Sequence, residues 1–503
     1  MKKIFQLILA AVVFSVATVS CELERFPYDQ IEQTQAFQTM SDAATINNGM
    51  YAQMRARMHG IFMFSTDVQA DLWNASLDFG NRNGFPHRWE GFLAGDYTIR
   101  DVWRGYYSAL VNINNIIENM GTIPAANADD QATLNRYIGE AHLMRAFYYH
   151  QLVQRWGKPY NAASASSDLG VPLVLTFDPN AKPPRATVQA VYDQILADIA
   201  AAKTLMPAIT AAPASNNRLT RDAALALEAR VMLHMGNWNG VISVAQDLVN
   251  SGRYTLLDNE PELRALWHND VSNKEVIFQL ELSAPSELAA SNIWNPVNNI
   301  YLGFVPSELV YTPDFIPQQW VLELFPEGDI RRDIYFEEKP VRVMGQDYEG
   351  ITLFNKYPGN PELFTTANTN YQHKPKVFRL AEVYLNLAEA QYHVNQGNAL
   401  ATLNALRTAR GLEAVNASGE ALLNAIKEER TRELLGEGFR LNDLMRWGMP
   451  VVRQTPQQTG PIHVTPAEHY ISLNKPAGDY QFVWGIPSND LTTNPNMVQN
   501  QGW

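Results

Sequence analysis

One cysteine, Cys21, is all that 503 residues contain, so no disulfide can form within the chain and the fold must be held by its core. Histidine is scarce and scattered. The ten histidines include no H-E-x-x-H, and His142 and His150 would lie two helical turns apart rather than one, so no metal is expected. Neither a phosphate-cradling glycine loop nor a Gly-x-Ser-x-Gly elbow occurs, and no cofactor is expected. Basic residues are outnumbered 39 to 52, for a formal net charge of −13, which argues against nucleic acid and against anionic lipid headgroups as partners. A glycosidase needs two carboxylates about 5 to 10 Å apart across a sugar. Asp67, Asp71 and Asp78 share one segment, but among 52 acids such neighbours arise by chance, so the reading is binding without catalysis.

What is present begins with the first 21 residues. Lys2 and Lys3 precede an apolar stretch from Ile4 to Val19, then small Ser20 and Cys21, the layout of a lipoprotein signal. Thr18 stands where such signals usually carry Leu. The run is short for a membrane span, which needs roughly 20 apolar residues, and polar Glu22-Leu23-Glu24-Arg25 comes directly after it. The expected organisation is a signal peptide over 1–20, a lipidated tether and strap over 21–48, and one large body over 49–503. Loss of Lys2 and Lys3 with the signal takes the net charge from −13 to −15.

The fold class expected for that body is mostly α. Trp103, Tyr106, Leu110, Ile113 and Ile117 form one apolar stripe over 102–119, and Ile138, Ala141, Met144, Tyr148 and Leu152 another over 137–156. Further helices are expected over 187–206, 222–235, 238–250, 376–395, 398–409 and 420–436. Ala223, Ala224, Ala226, Ala229 and Ala245 flank the turn Gly236-Asn237, as small residues do where paired helices cross. Helix–turn–helix units of about 34 residues of this kind are tetratricopeptide-like and stack into a solenoid. Pairs are expected near 102–156, 187–235, 238–250 with the segment C-terminal to it, and 376–409.

Residues 59–101 and 281–375 have another texture, rich in Gly, Pro, Asn and aromatics, without helical period and too long for plain connectors. They read as long loop-rich insertions with minor β structure, the kind of segment that carries recognition on a rigid scaffold. They hold Trp73, Trp89, Trp294 and Trp320, with Tyr97, Tyr301 and Tyr311, among planar polar residues. Sugars need that mixture, because the C–H face of a pyranose stacks on an aromatic ring while its hydroxyl rim pairs with Asp, Asn or Arg. The expected platforms are Trp73, Trp89, Trp294 and Trp320, with Asp71, Asn74 and Arg82 as polar partners. Trp103, Trp156, Trp238 and Trp447 read as core or packing residues.

The C-terminal third carries a denser pattern. In 403–448, Glu429, Arg430, Arg432, Glu433, Leu434, Glu437, Gly438, Arg440, Asp443, Leu444 and Arg446 form a glutamate–arginine helix, a glycine break and a second short helix. Together with Glu140-Ala141, Arg145-Ala146-Phe147-Tyr148, Arg379 to Asn386, Ile486-Pro487 and the closing Gln499-Asn500-Gln501-Gly502-Trp503, this resembles the RagB/SusD family of outer-membrane nutrient-binding lipoproteins. Thr431, Gly436, Phe439, Leu441 and Asn442 depart from the family's commonest form of that segment. The resemblance implies a lid that captures oligosaccharides, or in some members peptides, and delivers them to a SusC-like TonB-dependent barrel in the outer membrane, the helical scaffold facing the barrel. A scaffold that binds only protein would share the helices but not the aromatic insertions.

The charges of that segment have their own physical reading. Glu428 and Glu429 lie four and three residues before Arg432 and can both reach its guanidinium, while Arg440, Asp443 and Arg446 lie past the Gly438 break and can lock the two helices by carboxylate–guanidinium contacts. At the other end of the chain, Cys21→Ala is expected to release the protein from the membrane fraction with an unchanged circular dichroism spectrum. Retention of the variant on membranes would refute the anchor.

Overall fold

The scaffold follows from the stripes. The computed structural model describes residues 36–77, 82–178, 180–271, 274–288, 299–457 and 474–503. Its principal helices are α1 (Met40–Arg55), α2 (Ile61–Gln69), α3 (Tyr97–Asn119), α4 (Ala128–Trp156), α5 (Val188–Leu205), α6 (Arg221–His234), α7 (Trp238–Asn250), α8 (Glu260–His268), α9 (Leu380–Val394), α10 (Gln396–Ala409), α11 (Gly419–Glu433) and α12 (Arg440–Arg446). Starts are capped where the sequence allows: the side chains of Asp96, Asn127, Thr187, Thr220 and Asn237 accept a first-turn N–H of α3 to α7 in turn. The stripe of α3 is buried through Trp103, Tyr106, Leu110 and Ile113, and α6 is buried on all sides from Ala223 to Val231.

Consecutive helices pack as neighbours, α3 on α4, α4 on α5, α5 on α6, α6 on α7 and α9 on α10. The expected partner of α7 differs. It packs back on α6 and across on α9, which lies more than a hundred residues further along the chain, rather than on the segment directly C-terminal to it. Ala223, Ala224, Ala229 and Ala245 are fully buried along these contacts.

The strap and the first insertion are more helical than expected. The strap over 21–48 becomes helical at Met40, where Thr39 and Asp42 form a reciprocal capping box; residues 21–35, with Cys21, lie outside the described residues. The apolar stripe of α1 was obscured because Asn47 occupies a buried position, bonded to the Glu140 carboxylate at 2.7 Å. The insertion 59–101 contains α2, whose Phe64, Val68 and even Asp67 are buried. The insertion 281–375 supplies all four strands of a four-stranded sheet, the minor β structure expected there, with 304–305 against 310–311, 310–311 parallel to Phe336–Val343, and that strand antiparallel to Gln346–Phe354.

The glutamate–arginine run is not a solvated face. Glu429 and Glu433 are fully buried. Glu433 accepts from Arg379 at 2.7 Å, from Arg331 at 2.9 Å and from Arg410 at 2.9 and 3.0 Å. Glu275, just before strand Val276–Gln279, takes Arg379 at 3.0 Å and Arg410 at 2.8 and 2.9 Å. Arg331 continues to Asp329 and Glu429, and Lys356 donates to Glu437 at 2.7 Å over the face of Trp267. Burial alone would push the Glu433 carboxyl up; Arg410 and Arg379 hold it well below the usual carboxylate range.

The helix stops at Glu433, and Gly436 and Gly438 take φ of +73° and +84°. A Cβ on Gly438 would lie 2.7 Å from the Met63 carbonyl oxygen, so only glycine fits. Beyond the break, Arg430 and Arg446 reach Asp443 at 2.7 and 2.9 Å, and Arg446 also pairs with Glu389, which locks α12 to α11 and α9. Arg432 meets Glu429 at 3.0 Å and Glu428 at 3.9 Å, as the spacing requires.

Glu433→Ala is expected to cost about 3–5 kcal/mol because it takes from three buried guanidiniums the carboxylate on which they converge. Glu428→Ala, whose side chain is 57% exposed, should stay within about 0.5 kcal/mol. Denaturant midpoints would separate the two. Burial would raise the Glu389 carboxyl from 4.5, but Arg446 and Arg430 hold it at about 2. A depressed acid stabilises the fold above its unfolded value, so about 3 kcal/mol should be lost as pH falls from 4.5 towards 2. In Glu389→Gln that part of the acid limb of a stability–pH curve should flatten.

Candidate ligand-binding surface

The two insertions meet where strand Trp73–Ala75 pairs antiparallel with Phe315–Pro317, Trp73 opposite Pro317 and Ala75 opposite Phe315. Five of the seven residues expected to bind ligand lie in or beside that junction, which uses most of them to hold itself together, while Trp89 packs in a separate cluster with Leu441, Leu444 and Phe482. Trp73 is fully buried, its ring 4.6 Å from that of Tyr301 and 5.0 Å from that of Phe354. Trp89 is 3% exposed and packs on Phe482 at 5.3 Å. Neither indole offers a face to a sugar, so both are packing residues.

Asp71 is a bidentate partner of Arg440 at 2.7 and 2.8 Å, and its backbone carbonyl accepts the Trp320 indole N–H at 3.3 Å. Trp320 is half-buried under the Arg440 guanidinium, 5.6 Å from its ring centre, with a second bond to Gln318 at 3.1 Å. Asp71 and Trp320 therefore form a brace between α12 and the insertions. Asn74 is buried at 2% exposure, so it cannot meet a surface ligand. Trp294 lies outside the described residues. Arg82 keeps a 31% exposed side chain and pairs with buried Asp314, whose carboxyl burial pushes up to about 7 against the pull of that guanidinium. Of the described candidates, Arg82 alone combines polar chemistry with real access.

The neighbouring sheet carries aromatic rings that are only partly buried. One of its faces is a core of Ile316, Val341, Val343, Ile351, Leu353 and Tyr371. Half-buried Phe304 and Tyr311 pack against that core, their ring centres 4.9 Å apart and tilted by 37°, and Tyr348 joins them. The Phe304 N–H donates to the Tyr371 hydroxyl at 2.6 Å, which fixes the strand under the ring. Lys339 lies 5.2 Å from the centre of the Tyr311 ring. The sheet edge bears charge as well, with Arg342 bidentate to Asp347 at 2.6 and 2.9 Å. Tyr311 was legible as an insertion aromatic, but only its place in the sheet distinguishes it from Tyr301, which is 1% exposed. Trp103 and Trp156 are core as expected, whereas Trp238 and Trp447 are half-buried and line a cleft on the helical side.

Known proteins share this architecture. Residues 343–503 match the model of the SusD family, and residues 23–233 match a model described as starch-binding associating with outer membrane. SusD-like protein P38 of Formosa agariphila is 25% identical, over 96% of this chain and 95% of its own length. A SusD superfamily protein from Bacteroides thetaiotaomicron superposes with a TM-score of 0.78 at 25% identity, covering 92% of this chain and 99% of that one. A laminarin-binding SusD-like protein superposes with a TM-score of 0.71 at 22% identity, over 93% of this chain and 100% of that one. The buried glutamate–arginine knot, the helical scaffold and the end-to-end correspondence agree: the chain belongs to the SusD-like family.

Proposed function

We propose that this protein is a cell-surface glycan-binding lipoprotein that captures oligosaccharides and passes them to a SusC-like TonB-dependent transporter in the outer membrane. The observation that carries the reading is the paired, half-buried Phe304 and Tyr311 rings beside Lys339, aromatic rings bordered by polar groups on a sheet. A sugar stacked there would find hydrogen-bonding partners at the charged sheet edge, with Arg82 at the adjoining junction. The laminarin-binding relative and the family description that mentions the outer membrane support the same reading. Cys21 would supply the anchor, on the extracellular face. Among the described residues no helix is long and apolar enough to cross a membrane, which suits attachment by lipid. Binding does not require bond making, and the protein is read as a carrier rather than an enzyme.

Stacking contacts contribute about 0.5–1.5 kcal/mol each, so affinities in the micromolar to millimolar range are expected. The test is a screen of the mature chain carrying Cys21→Ala against polysaccharides and peptides, read by intrinsic tryptophan fluorescence and calorimetry. Tyr311→Ala should weaken the best glycan about 5-fold or more with little change in melting temperature. Trp73→Ala should instead destabilise the fold by about 3–5 kcal/mol, as loss of a buried aromatic does. Equal affinity of Tyr311→Ala and the parent would sink the platform, and binding of peptides alone would shift the reading to peptide uptake.

A further inference from the structure

A second concave surface lies on the helical side. An open cleft of about 600 Å³ is walled by α9, α11, α12, the turn between α6 and α7, and the segment 159–162. A neighbouring cleft of about 490 Å³, reaching Tyr480 and Gly502, shares Pro159 and Met445 with it, so the two are lobes of one groove. None of the sheet residues Phe304, Tyr311 or Lys339 lines either lobe.

The larger lobe has an aromatic wall and an uneven charge balance. Trp238 stacks on His393 with ring centres 4.0 Å apart and planes 13° from parallel, which fixes the indole at the cleft. Glu389 and Asp443 are taken up by Arg446 and Arg430. Lys427 is the cation left over. Among the described residues no carboxylate stands within 4 Å of its ammonium, which rests 5.3 Å from the centre of the Trp447 ring and 3.9 Å from the Met449 sulfur. Glu389 across the cleft and Glu420 two turns back on α11 act on it only at longer range, against Arg446 and Arg440. Of the charged residues that line this lobe, Glu389 is one acid against the two bases Arg446 and Lys427, which leaves the wall positive in a chain whose net charge is −13.

We propose that this groove is a second saccharide site that selects acidic sugars, with Lys427 pairing with the carboxylate of a uronate unit, Trp238 as the stacking wall, and the adjoining lobe extending the contact along the chain. The inference rests on the carbohydrate-binding reading but not on the sheet surface. A charge-assisted bond to a half-open ammonium is strong enough to discriminate a carboxylate from its ester and weakens with salt.

The test titrates the mature chain carrying Cys21→Ala with hexagalacturonate, hexamannuronate and the methyl ester of each. At least one free acid should bind roughly tenfold more tightly than its ester. Lys427→Gln should abolish that preference, Lys427→Arg should keep it, and Tyr311→Ala should leave it intact, with melting curves confirming that each variant folds. Equal binding of acid and ester, no binding of either acid, or a preference that survives Lys427→Gln would overturn the proposal. If neutral glycans still bind in a Tyr311-dependent way, this inference alone has failed. Silence from every saccharide would remove both.

Discussion

The fold turns on a carboxylate closed off from solvent. Glu433 is fully buried, and it is tolerable there only because Arg331, Arg379 and Arg410 converge on it while Glu275, Asp329 and Glu429 balance those three guanidiniums. An uncompensated charge in such a place costs several kcal/mol, so each member is stable only when the others have arrived. Those members come from the strand before the second insertion, from within that insertion, from the start of α9, from the end of α10 and from α11. The knot is therefore less a source of net stability than a condition on geometry, one arrangement of distant segments that satisfies every charge.

From the knot, order passes to the recognition surfaces through short polar links. Gly438 and Arg440 donate their N–H groups to Asp67 at the end of α2 at 2.8 and 3.3 Å, and the Arg440 side chain grips Asp71. Asp71 holds Trp320, and the strand just after Asp71 pairs with Phe315–Pro317, next to the four-stranded sheet. On the other side, Asp443 and Glu389 hold Arg446 at the wall of the helical cleft. The break at Gly438 thus serves two surfaces at once, because it brings α12 under the insertions and across α9.

How much of this was legible in the residues depends on the range of each interaction. Helices α3 to α7 and α9 to α11 repeat every 3.6 residues, so their stripes stand in the sequence, whereas α1 hides behind one buried polar residue, Asn47, whose partner Glu140 lies 93 residues away. The locking of α11 to α12 could be read because Arg430 and Asp443 are near in sequence, but the deeper knot could not: Arg331 and Arg410 reach Glu433 across 102 and 23 residues, and a charged run looks the same whether solvated or enclosed. Composition points to the aromatic insertions but does not rank the rings inside them. Trp73, Trp89 and Tyr301 share composition with Tyr311, and only the pairing of short strands decides which ring turns inward.

The separation between knot and sheet has a consequence for how such a protein changes over time. Phe304, Tyr311, Lys339 and Tyr348 contribute nothing to the charges around Glu433, and their support is a private apolar core under one hairpin. Residues around that small core can be exchanged without asking the foundations to refold. The molecule is built as a socket with a replaceable face, in which the preference for one polymer over another can drift quickly while the frame that presents it stays put.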